Sequence, residues 1–197
     1  MTELDVINDA LSTLGEAPLN DVDEDHPYTS TIRRFLERES QKVQQTGWWF
    51  NRELVTLPPD AVSSFIYVPN DAIRCDPLSK RELNLAVQRG RRLYNTDTNT
   101  YVFDKEVECL LVRNIPFTDL PPEAQEAINT AVKKAFQAAY DADTQKAQLI
   151  VMEYQEAMGK LKQVHIRNVK SNFIYKNSSL RQLAKIGSGI IRPGSFY

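Results

Sequence analysis

The spacing of apolar residues changes character twice along this chain, and that double switch constrains the fold more than any other feature. Leu4, Ile7, Leu11 and Leu14 recur every three or four positions, as do Ile32, Phe35, Leu36 and Val43. Such spacing lines one face of a helix. From Trp48 to Pro116 short β-rich pieces take over at 53–57, 64–68, 72–75, 83–87, 101–103 and 107–113. Turn formers separate them: Pro58-Pro59-Asp60, Pro69-Asn70-Asp71, Gly90 and the polar stretch 95–100. Helical spacing then returns with Ile128, Ala131, Val132, Ala135 and Ala139, and again with Ala147, Ile150, Tyr154, Met158, Leu161 and Val164.

The pattern predicts helices over 3–15, 29–47, 121–140 and 143–168, with a β-rich insertion at 50–115. Thr2 and Asp5 form a capping-box pair, Pro121-Pro122 suits a first helical turn, and Asp143 suits a cap. The expected fold is α+β: a four-helix bundle-like body with a small inserted antiparallel sheet. Residues 1–168 make one domain, and 169–197, where periodicity stops, form an extended C-terminal arm.

Charge divides the chain at the same place. From Lys160 onward there are eight basic residues and no acid. Since the whole chain holds 24 basic and 26 acidic residues, 1–159 holds 16 and 26, a net of −10 before an end of +8. Such asymmetry points to an acidic partner: nucleic acid, a membrane surface or the body of a neighbouring subunit. No apolar run reaches the 18 or so residues that a membrane helix needs, so no membrane role is expected. Glu3, Asp5 and Asp9 break any secretory leader over residues 1–15. A cytoplasmic origin follows as an expectation, and Cys75 and Cys109 read as buried thiols of a reducing compartment.

Chemistry-bearing patterns are thin. His26 and His165 lack a second ligand at metal spacing and read as surface histidines. Asp21, Asp23 and Asp25 imitate a calcium loop, but His26 stands where glycine should and Ile32 where the bidentate glutamate should. No nucleophile elbow, phosphate loop or dinucleotide fingerprint occurs. Glu53, Glu106 and Glu108 are the best candidates for a carboxylate pair. The expectation is no enzyme, no catalytic residue, no metal and no cofactor. Trp48, Trp49 and Phe50 are expected as core at the helix–sheet junction, each ring being large and apolar.

The order Leu14-Gly15-Glu16-Ala17-Pro18, acidic loop, Ile32-Arg33-Arg34-Phe35-Leu36, then Gly47-Trp48-Trp49-Phe50-Asn51 resembles the tail tubular protein A family of short-tailed, podovirus-type bacteriophages. Leu57-Pro58-Pro59-Asp60 and the helix after Leu120-Pro121-Pro122 fit the same outline. Trp49 departs from it, standing where the pattern has a smaller polar residue. The resemblance implies a structural head-to-tail adaptor of the virion tail, assembled in the host bacterial cytoplasm. It further implies a homo-oligomer of twelve copies in a ring, bound to the portal protein above and to tail nozzle (tubular protein B-like) subunits below. Double-stranded DNA would pass through the channel without specific binding. The arm then becomes a portal-binding element, with Lys170, Phe173, Tyr175, Lys176, Arg181, Lys185, Ile190, Ile191, Arg192 and Phe196 as its contact residues. Two other functions stay open: a tail-associated cell-wall (peptidoglycan) hydrolase and a nucleic-acid-binding protein.

Overall fold

Thr2 opens the first helix with a reciprocal cap. Its hydroxyl accepts from the Asp5 N–H at 3.2 Å, while the Asp5 carboxylate accepts from the Thr2 N–H at 2.6 Å. Helix α1 (Glu3–Leu14) ends at Gly15, which takes φ 77° and turns the chain back. The computed structural model describes residues 1–78, 86–141 and 143–176. Helix α2 (Thr29–Gln44) leads into strands β1 (Arg52–Leu57), β2 (Ala72–Pro77), β3 (Ala86–Arg89), β4 (Arg92–Asn95) and β5 (Val107–Arg113). A 3₁₀ turn (Phe117–Asp119) then precedes α3 (Pro122–Tyr140) and α4 (Thr144–Lys176).

The architecture is α+β. Helix α3 is the common neighbour, packing against α1, α2 and α4. Its alanines explain the closeness: Ala124, Ala127 and Ala131 are buried beside Ile128, Val132 and Phe136. One core unites Ile7, Leu11, Ile32, Trp48, Ile128, Phe136 and Leu161 from all four helices and the segment after α2. The β-strands build a second core around Ile66, Leu93, Cys109 and Leu111. Here β5 runs between β1 and β2, antiparallel to both, while β3 and β4 form a hairpin. Gly90 sits at φ 61° in its two-residue turn, the left-handed position that a type II′ turn reserves for glycine.

Four expectations change. The piece at 64–68 is no strand: Ser64 takes φ 54°, the Asp60 carboxylate accepts from the Val62 and Ser63 N–H groups, and only isolated bridges remain at Phe65 and Tyr67. The piece at 101–103 likewise reduces to a bridge at Val102. Strand β4 lies partly in what reads as a loop, and most of 83–87 lies outside the described residues. Finally, α4 does not stop at 168 but continues to Lys176, so the first eight residues of the expected arm are helical. The physical reason is local: Val169 to Lys176 contains neither glycine nor proline.

Two buried amides join the two cores. Asn51, 1% exposed, donates Nδ2 to the Gln44 carbonyl at 3.0 Å and to the Arg113 carbonyl at 2.9 Å. Its Oδ1 accepts from the Trp48 N–H at 2.8 Å. Gln44, fully buried, donates Nε2 to the Ile115 carbonyl and accepts from the Ile115 N–H. The end of α2, the start of β1 and the exit from β5 are thereby tied together. Asn51→Ala removes a hydrogen bond from the Trp48 N–H, from the Arg113 carbonyl and from the Gln44 carbonyl, the last of which keeps the Gly47 N–H at 3.0 Å, so it should destabilise by about 2–4 kcal/mol. For a domain of this size that is a fall in melting temperature of roughly 5–15 °C. Thermal denaturation followed by circular dichroism measures it. A shift within a degree or two would show that the clasp carries no load.

Candidate assembly interface

The junction is built outward from Gly47. It takes φ 79°, which glycine adopts without strain, and a Cβ there would crowd the Val112 side chain at 3.1 Å. The turn drives the Trp48 indole into the helical core, 2% exposed, with Nε1 donating to the Val43 carbonyl at 2.7 Å. Trp49 and Phe50 are half-buried and pack edge to face at 5.0 Å. All three rings therefore stand at the junction, with Trp48 enclosed and the other two at its margin.

Sequence reasoning missed what closes the junction. His165 is not a free surface histidine. It projects from α4 against both tryptophans, 5.4 Å from Trp48 and 6.1 Å from Trp49. Its Nδ1 is buried and has no hydrogen-bond partner among the described residues. Burial lowers its pKa from the ordinary 6.5, and the Arg52 charge adds to the shift. The signal was present: His165 follows the buried Leu161 by four positions and so shares its face.

Beyond His165 the helix turns its surface outward. Ile166 is 51% exposed and Val169 is 37% exposed, beside the exposed Lys162 and Lys170. At its other end α4 shows Leu149 and Met152. It is pinned to α3 by Lys133, which bonds Glu153 at 2.7 Å, and by Lys134, whose ammonium lies 3.9 Å over the Tyr154 ring. Of the expected arm residues, Lys170 is an exposed helical residue. Phe173, Tyr175 and Lys176 lie on the last turns of α4. Arg181, Lys185, Ile190, Ile191, Arg192 and Phe196 lie outside the described residues.

Of the candidate carboxylates, Glu106 is exposed just before β5, and Glu53 and Glu108 do not converge. Glu53 opposes Leu111 and Glu108 opposes Thr56 in the β1–β5 ladder. Positions 53 and 56 are an odd number apart, so the two acids sit on opposite faces of the sheet. Glu53 is also held by Arg113 at 2.9 Å, and Arg113 in turn grips Asp71 at 2.7 Å. The cysteines are buried free thiols, and the hydrogen bond that Cys75 donates to Cys109, together with burial, pushes the Cys75 thiol up. Among the described residues no group of His, Cys, Asp or Glu could hold a metal ion. No described helix is long and apolar enough to cross a membrane.

The motif residues have structural work in this geometry. Arg33 bonds Glu3 at 2.6 Å and the Val22 carbonyl at 3.1 Å, fastening α2 to α1 and to the acidic loop. Asn8 exchanges two hydrogen bonds with Leu19, fixing the chain after Gly15. A scaffold held this way, with Leu149, Met152, Ile166 and Val169 exposed along α4, is the build of a structural subunit. The family model for tail tubular proteins matches residues 4–171. Tail tubular protein A of Klebsiella phage KP34 is 33% identical over 125 residues, covering 63% of this chain. The chain spans 65% of that relative's length. The chain belongs to the tail tubular protein family, structural components of the bacteriophage tail.

Two measurements test the junction. Trp48→Ala should cost about 3–5 kcal/mol and lower the melting temperature by roughly 6–20 °C, while Trp49→Ala should cost less because its ring is partly in water already. Equal shifts would contradict the burial difference. For His165, a depressed folded pKa gives a contribution that is full above pH 6.5 and lost as pH falls through the folded value. The melting temperature should therefore decline as pH falls below 6.5, and His165→Gln should flatten that decline. An unchanged slope would contradict it.

Proposed function

We propose that this protein is a head-to-tail adaptor. Copies of the chain, twelve by family resemblance, form a ring between portal and tail nozzle, and double-stranded DNA passes through the centre. The observation that carries this reading is α4. It starts packed on α3, passes the junction at His165, and continues to Lys176 with Ile166, Val169, Lys162 and Lys170 facing water. Eight bases without one acid lie from Lys160 onward, against a body of net −10. A single element thus offers a neighbour apolar anchors and a positive charge that an acidic surface attracts, which speeds and orients encounter.

The same asymmetry supports the remaining parts of the reading. An acidic channel wall would repel the phosphate backbone and let DNA slide. The residues from Lys170 to Phe196 named above would meet the portal, and the opposite facing of Glu53 and Glu108 speaks against their use as a hydrolytic pair. The protein would act as a scaffold without turnover, in the virion tail, after assembly in the host cytoplasm.

Deleting residues 177–197 tests it, because the deletion leaves α4 complete. The truncated chain should melt with the full-length protein. It should no longer appear on purified portal rings by electron microscopy, where the full chain forms a collar. Normal attachment of the truncated chain would remove the arm from the portal contact. Absence of a collar with the full chain would overturn the adaptor reading itself.

A further inference from the structure

The β3–β4 hairpin presents two unlike faces. Ala86 and Leu93 are buried against the sheet core, and Gln88 accepts from the Cys75 N–H at 2.8 Å. Strand alternation puts Val87, Arg89, Arg92 and Tyr94 on the other face, Val87 opposite Tyr94 and Arg89 opposite Arg92. There the Arg89 guanidinium lies 3.6 Å over the Tyr94 ring. Arg92 lies 4.4 Å from the Tyr101 ring and 5.3 Å from Phe65. Tyr94 and Tyr101 meet edge to face at 5.1 Å. Arg91, in the turn, is anchored by one bond to the Val68 carbonyl at 2.8 Å.

Among the described residues no carboxylate lies within ion-pair distance of these three arginines. Stacking holds two of the guanidinium planes in place and leaves donor edges open. Ordered aromatic area beside arginines that no described carboxylate pairs is the composition of an interface centre.

The chain carries the complement. Residues 15–28 contain Glu16, Asp21, Asp23, Glu24 and Asp25, all exposed, and neither lysine nor arginine. The nearest cation is Arg33, 3.7 Å from Asp23, and it is already committed to Glu3 at 2.6 Å. We propose that the arginine–tyrosine face of one copy docks on the acidic loop of a second copy. The proposal rests on the ring reading, and it names the surfaces that ring would use. The hairpin belongs to the sheet core and the loop to the helical body, so the contact is head-to-tail. Repeated in one direction, it closes into a ring when the rotation allows. A nucleic acid fits this face less well, because a body of net −10 repels a phosphate backbone.

Two neutralised variants test the assignment: Arg89→Gln with Arg91→Gln, and Asp23→Asn with Asp25→Asn. Sedimentation equilibrium at low ionic strength should show concentration-dependent association of the wild type, weakened at least about tenfold in either variant alone. Mixed in equal amounts, the variants should form a dimer and nothing larger, since each supplies one intact surface. Independently of any substitution, raising salt should dissociate the wild type. Variants that associate like wild type, a mixture that stays monomeric, or a wild type monomeric throughout would each overturn the proposal. So would hairpin neutralisation that abolishes binding to a duplex oligonucleotide but leaves self-association intact. If the variants still form collars on portal rings as wild type does, the hairpin assignment fails and the adaptor reading stands. Association through these surfaces without any collar on portal would leave the contact intact and sink the adaptor reading.

Discussion

The clasp formed by Gln44 and Asn51 is the constraint on which the rest depends. Their amides are withdrawn from water, and each must satisfy both a donor and an acceptor or cost more than it contributes. They do so only when the end of α2, the turn at Gly47 and the exit from β5 stand in one arrangement. The helical core and the sheet core have separate apolar memberships. The polar joint makes them one body. It also fixes where Trp48 enters the helical core and therefore where His165 on α4 can rest.

Electrostatics are distributed on the same plan. Ion pairs near the joint are local and partly buried, such as Arg113 between Glu53 and Asp71, and Glu39 between Arg38 and Lys42. They set orientation at modest net stabilisation. Among the described residues, exposed charges are also grouped by sign in separate places: acids in the loop after Gly15, arginines on the β3–β4 hairpin, and lysines on the later turns of α4.

Much of this was legible in the sequence. All four helices announced themselves by period, and Thr2 and Asp143 cap where their side chains predicted, Asp143 accepting from the Gln145 N–H. The strands flanking the insertion were visible because β5 is long and apolar. The piece at 64–68 misled because β-rich composition says nothing about a left-handed Ser64 or an Asp60 turn. The end of α4 was misplaced because the apolar stripe thins at Asn168 while helix-permitting residues continue. The arginine–tyrosine face was invisible for a different reason. Phe65, Arg89, Tyr94 and Tyr101 are scattered over thirty-seven positions, and only the fold brings them together.

The continuation of α4 past the junction has a mechanical consequence. Starting a helix is costly, but lengthening an existing one changes free energy by only about 0–0.3 kcal/mol per residue. The turns after His165 are extensions of a helix already nucleated on α3, and they owe little to the body of the protein. A neighbour can therefore add or remove a turn, about 5.4 Å of length, for roughly the free energy of one good hydrogen bond. The last part of α4 is therefore the portion of the helix whose length the rest of the fold sets least.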